Sequence, residues 1–203
     1  MIRFAMCFAV LALLSGGLFA QDDSITEPST EKHFPISMTF SHDGADYSVT
    51  ASGTAVRKKF FVKVYGMAHY MAQGPFENAD AAIAAVMADG SPKQIIMDFA
   101  RDVGGDKIQG AYMESFEKNL SEAQMAELKP QIDQFLGYFA NEVKENEQYI
   151  LRWLPGGVIV SIVGGEEKPA VTSVPMAQAL WSAWFGEGGV VDAEDLVKRA
   201  VKK

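Results

Sequence analysis

The sequence contains a single cysteine, Cys7, in 203 residues. That excludes a disulfide framework and a structural zinc site of the cysteine type. Long runs of lysine or arginine are also missing. Eighteen basic residues face 26 acidic ones, for a net charge of −8. Phosphate backbones are held by clustered positive charge, so nucleic acid is not an expected partner. His33, His42 and His69 fall at no metal-ligand spacing, and neither a metal nor a cofactor is expected. A Gly-x-Ser-x-Gly nucleophile elbow is absent. Gly104-Gly105-Asp106-Lys107 lacks the glycine pattern of a phosphate loop. What is present is an ordinary apolar content of 48%, enough at this length to bury a core.

The one long apolar run comes first. Met1-Ile2-Arg3 leads into apolar Phe4 to Leu14, then Ser15-Gly16-Gly17-Leu18-Phe19-Ala20, then polar Gln21-Asp22-Asp23. This is the pattern of a secretory signal peptide over 1–20, cleaved after Ala20. The alternative is an uncleaved N-terminal anchor. The run is short for a transmembrane helix, and no stable membrane span is expected after cleavage. Cleavage removes Arg3 and Cys7, leaving 17 basic against 26 acidic residues, a charge of −9. The expectation is an exported, periplasmic or secreted protein, held together by packing alone.

Residues 21–32 are polar and read as a flexible lead-in. The domain proper is expected over 33–203. His33 to Phe40 alternates as a strand does, Tyr47 to Ser52 reads as its return, and Lys58 to Met71 as one long or bent strand. Asn78 is placed to cap a helix over 79–87, which ends at Asp89-Gly90. Gln94 to Arg101 reads as a strand. Ile108, Tyr112, Ser115, Phe116 and Asn119 follow at helical spacing. Ser121 and Gln124 have capping-box form, and Pro130 divides or kinks the helical stretch they open. Gln148 to Leu154 and Val158 to Val163 flank the turn Pro155-Gly156-Gly157. A helix runs from Pro175 to Phe185 with Gly186 as its stop, and Asp192 caps a last helix over 193–201. The pattern is α+β.

Four stretches in order resemble the chalcone-isomerase-like family. They are Gly53 to Tyr70 (GTAVRKKFFVKVYGMAHY), Met97 to Val103 (MDFARDV), Tyr149 through Pro155-Gly156-Gly157, and Trp184-Phe185-Gly186. The resemblance covers about residues 45–203. It implies an open-faced β-sandwich: a large antiparallel sheet with a layer of α-helices on one face and a cleft between them. Plant chalcone isomerases close a flavanone ring in that cleft, and other plant relatives bind fatty acids there.

The resemblance also implies a site. Arg57 matches the arginine with which the binders hold a carboxylate, a task suited to a permanently charged planar fork. Tyr70, on the same long segment, would share that carboxylate. Tyr112 and Asn119, seven apart on one helix face, match a tyrosine and an asparagine of the plant enzymes. Tyr65 stands where those enzymes carry a threonine. Without gaps Gly53 falls opposite their catalytic arginine, and Ala177 opposite their Ser/Thr. Arg57, Tyr70, Tyr65, Tyr112 and Asn119 are therefore the candidate ligand-binding residues. Arg57, Tyr112 and Asn119 are the candidates for catalysis. The expected partner is a hydrophobic small-molecule anion, a fatty acid or a phenolic compound. Two alternatives are an intramolecular lyase of the chalcone-isomerase type, and an interaction module whose cleft is filled by Trp181, Trp184 and Phe185.

Overall fold

The structure, a computed structural model, describes residues 23–202, so the leader over 1–20 lies outside the described residues. Six antiparallel strands form the body of one sheet: β3 (Ser37–His42), β4 (Ala45–Lys59), β5 (Val62–Met71), β6 (Lys93–Phe99), β7 (Gln148–Leu154) and β8 (Val158–Val163). Each pairs with the next in chain order. Two short pieces, β9 (Glu166–Glu167) and β10 (Val171–Thr172), pair along the free side of β8. β6 is buried along its whole length. It is central in the sheet and its run of Ile95-Ile96-Met97 can be covered on both sides.

Among the described residues six helices lie on one side of the sheet: α1 (Ala79–Met87), α2 (Gly105–Asn119), α3 (Glu122–Glu127), α4 (Lys129–Gly137), α5 (Val174–Phe185) and α6 (Ala193–Val197). Their stripes bury Val86, Phe116, Phe135, Leu180 and Leu196 against Met67, Ile95 and Leu151 of the sheet in one large core. The helix ends follow local chemistry. Asn78 Oδ1 accepts from the backbone of Ala81 at 2.9 Å, and Ser121 and Gln124 close a capping box. Leu128, just before Pro130, divides α3 from α4. The α+β class and the helical layer on one side of an antiparallel sheet match the sequence reading.

Four expectations need correction. Residues 21–32 do not form a flexible lead-in, as far as they are described. β1 (Ser24–Glu27) and β2 (Lys32–Pro35) make a hairpin on the sheet face opposite the helices. Ile25 and Phe34 pack there with Val49, Ala51, Ala68 and Tyr70. Buried Glu27 accepts from the backbone N–H groups of Ser29 and Thr30 at 3.0 and 2.7 Å, which orders the turn. Lys32 reaches Asp98 of β6 at 2.5 Å. Polar composition concealed this because two apolar side chains suffice to seat so small a hairpin.

Second, the strand expected over 33–40 is two strands. Pro35 offers no N–H to a ladder. Ile36 instead gives its N–H to Asp23 and its carbonyl to Ala51, both at 2.8 Å. Third, Lys58 to Met71 is not one strand. The chain reverses at Phe60-Phe61, with Lys59 opposite Val62. Fourth, the last helix stops at Val197. Arg199 then donates to Ser52 O, and Ala200 and Lys202 bond the backbone of Phe76 at 2.7 and 2.8 Å. These long-range backbone partners replace the helical ones.

Asp89, read as part of a helix stop, has a larger task. Its carboxylate accepts from Trp153 Nε1 at 3.0 Å and from the N–H groups of Gly156 and Gly157 at 3.0 and 3.1 Å. It ties the end of α1 to the β7–β8 turn, where Gly157 at φ 74° takes a backbone that other residues avoid. Asp89→Ala leaves buried Trp153 without an acceptor. We expect a loss of about 2 kcal/mol in urea unfolding. An unchanged midpoint would show that the turn holds without it.

Candidate functional site

Alternation along β5 sorts its side chains between two environments. Tyr65, Met67 and Met71 face the helices, whereas Ala68 and Tyr70 face the β1–β2 hairpin. Between the sheet and α2 and α5 the packing leaves a cavity of about 450 Å³, within the range of small-molecule sites. Val64, Tyr65, Met97 and Phe99 form its sheet wall. Ile108, Ala111 and Tyr112 of α2 and Trp184 of α5 form its helical wall.

Arg57 lies on this cavity, half-buried, across the ladder from Tyr65. Its guanidinium is 5.8 Å from the centre of the Tyr65 ring, and it forms no ion pair among the described residues. Trp184 Nε1 donates to the Tyr65 hydroxyl at 2.9 Å. Burial pushes the Tyr65 phenol up, and Arg57 and the Trp184 hydrogen bond oppose this only in part. Tyr112 is held among Phe135, Phe139 and Trp184. Burial, and then the neighbouring Tyr65, push its phenol well above the usual range. Its hydroxyl has no partner among the described residues. Both phenols are therefore protonated near neutral pH and act as donors, not bases.

Asn119 closes α2 at the rim of the same cavity, its side-chain amide donating to Ser115 O at 2.8 Å. The structure thus brings Arg57, Tyr65, Tyr112 and Asn119 together. It does not bring Tyr70. Tyr70 is fully buried on the opposite face of the sheet, among Ile25, Phe34 and Ile96. Its hydroxyl has no hydrogen-bond partner among the described residues. An arginine–tyrosine pair of Arg57 with Tyr70 is excluded by the sheet between them.

Two other positions also lie off the cavity. Gly53 is covered by α6, so closely that a Cβ there would stand 2.0 Å from Asp195 O. Ala177 is fully buried in the α5 core. Trp181, Trp184 and Phe185 are buried, yet they leave the cavity unfilled. Residue spacing did not single out Lys59, Arg101, Lys107 and Lys118, which with Arg57 put five basic residues on the cavity against the acidic Asp102 and Glu114. Asp102 is itself paired with Lys144 at 3.0 Å. Of the four only Lys59 carried a signal, the density of Arg57-Lys58-Lys59 in an otherwise acidic chain; Arg101, Lys107 and Lys118 each stand beside an acid in sequence and only the fold gathers them. A groove with an excess of one sign concentrates ligands of the other.

A family model described as chalcone isomerase-like matches residues 33–198. The chain belongs to the chalcone-isomerase-like family. Among solved structures it is similar to the Arabidopsis thaliana fatty-acid binding protein. That match has a TM-score of 0.69 at 18% identity, and covers 87% of this chain and 97% of that one. At that identity the likeness is one of fold. Comparison with curated protein sequences gives no match. Membership explains the helical layer and the cleft, while the side chains in the cleft are this chain's own. No helix among the described residues is long and apolar enough to cross a membrane.

Proposed function

We propose that this chalcone-isomerase-like protein is an exported, non-catalytic binder of a hydrophobic anion such as a fatty acid. The observation that carries the reading is Arg57, a cation without an acidic partner among the described residues, on the wall of a mostly apolar cavity. A carboxylate leaving water needs a paired cation, and an acyl tail needs walls like Met97, Phe99 and Ile108. Tyr112 and Tyr65 add neutral donors for the head group. The likeness to a plant fatty-acid binding protein agrees with this use of the cleft, and the pattern of residues 1–20 supports export.

A ring-closing isomerase has less in its favour. Gly53 and Ala177 present no hydroxyl or guanidinium to the cavity, and the two phenols start as donors.

The test is binding of a long-chain fatty acid to protein recovered from a bacterial periplasm, by calorimetry and native mass spectrometry. Arg57→Ala is expected to weaken binding by about 2 kcal/mol, about thirtyfold in Kd. The lower end of the range for a lost charge pair applies because Arg57 is half-buried. Equal affinity in the variant would remove the proposed role. The intact mass of the same preparation reports whether the chain begins at Gln21.

A further inference from the structure

Four large apolar side chains are exposed among the described residues: Phe60 at 88%, Phe61 at 99%, Val62 at 45% and Val190 at 38%. Three are consecutive and form the tip of the β4–β5 hairpin. Phe60, Val62 and Val190 also border the cavity. Scattered exposed apolar residues need no explanation, but two adjacent, almost fully exposed phenylalanines do.

Folding does not account for them. The two-residue turn puts Phe60 at φ 57°, a position that glycine or asparagine takes with less strain. The charge along this stretch of chain is one-sided, with Lys58 and Lys59 exposed at the tip, Lys63 turned back to the Ser29 carbonyl and Arg57 on the cavity. Arg57, Lys58, Lys59 and Lys63 lie within seven residues with no acid among them, in a chain of net charge −8. Arg57, Lys58 and Lys59 have no ion pair among the described residues. An aromatic tip within a collar of cations fits the interface of an anionic bilayer, where phenylalanine enters the acyl boundary and lysines meet the head groups.

We propose that the Phe60-Phe61 tip inserts into the surface of an anionic lipid bilayer and holds the cavity mouth against it. An acyl anion then passes between bilayer and cavity without crossing bulk water. The purpose of docking rests on the cavity reading above, but the docking itself is tested separately.

The experiment is flotation of the periplasmically produced protein with vesicles of phosphatidylcholine, alone or mixed with phosphatidylglycerol. Phe61→Ser and Lys58→Glu are the variants. Neither residue borders the cavity, both are exposed, and both variants share the wild-type N-terminus, so any retained leader cancels. The wild type is expected to float with the mixed vesicles, and added salt to weaken it. Each variant is expected to partition about tenfold less, with fatty-acid affinity in bulk solution unchanged. Failure of the wild type to float with mixed vesicles overturns the proposal. So does flotation indifferent to both variants, or a wild-type dimer that Phe61→Ser makes monomeric. Flotation that depends on Phe61 while Arg57→Ala leaves fatty-acid binding intact supports docking and removes the cavity reading alone.

Discussion

Acidification from neutral pH to about 4 is expected to remove about 3 kcal/mol of stability through His69 alone. His69 is fully buried, its ring edge-on to Phe185 at 4.8 Å. Nδ1 is 2.6 Å from Ser52 Oγ. Ser52 Oγ is also 2.7 Å from the carbonyl of Leu196 and 3.1 Å from that of His69, acceptors that claim its one proton. The arrangement therefore takes His69 with its proton on Nδ1, donating to Ser52. Nε2 is buried without a partner among the described residues. A second proton on Nε2 would place charge where nothing accepts it. Burial, with the positive charge of Lys93 adding to it, lowers the imidazole from its ordinary 6.5 to about 3. In the unfolded chain His69 takes a proton as pH falls through 6.5, while the folded chain refuses it until about 3. Stability is thus fully present above 6.5 and declines across the window down to about 3. His69→Asn keeps a donor for Ser52 but cannot be charged. Urea unfolding of both proteins, from neutral pH to about 4, should show a steep pH dependence in the wild type that the variant has largely lost. Parallel curves would mean that the imidazole is solvated or already charged.

The second large effect lies directly across the ladder, where Gly53 pairs with His69. A Cβ on Gly53 would meet Asp195 O at 2.0 Å, the Leu196 carbonyl carbon at 2.7 Å and Leu196 Cα at 2.9 Å. All three are backbone, so no side-chain rotation can relieve the clash. Gly53→Ala is expected to lift α6 off the sheet, exposing Leu196 and Val197, at a cost of about 3 kcal/mol. Gly110 is the control. It lies inside α2, and a methyl group on its Cα would meet nothing within 4 Å. Gly110→Ala should stabilise by about 0.5–1 kcal/mol. Opposite shifts of the two urea midpoints are the expected result. A Gly53→Ala protein as stable as wild type would mean that α6 does not rest on β4. The same contact bears on function. With α6 in place, a side chain at Gly53 has nowhere to go, so an arginine at that position is not available to this cleft.

The sites that the sequence reading located well are those governed by neighbours in the chain. The β7–β8 hairpin follows from Pro155-Gly156-Gly157, and α1 and α3 begin at Asn78 and Ser121, whose side chains accept from their own first turns; α5 was placed by Pro175, while its cap, Ser173, was not read from the sequence. Tyr112 and Asn119 share a helix face because seven residues make two turns. Where the reading failed, the missing information was a partner far away. Phe60-Phe61 carries no turn signal, so two strands looked like one. Even on one strand, Arg57 and Tyr70 are thirteen apart, an odd spacing that puts side chains on opposite faces. That parity was legible, and it argued against their sharing a ligand.

By itself the sequence determined the α+β class, most helix limits and the family, because caps, turns and periodicity are written within a few residues. Only the tertiary structure decided which face of the sheet each alternating residue meets. Period two divides a strand into two sets without saying what covers either. The helices covered Tyr65 and the β1–β2 hairpin covered Tyr70. Trp184, 119 residues from Tyr65 in the chain, came to complete a cavity that no local pattern contains.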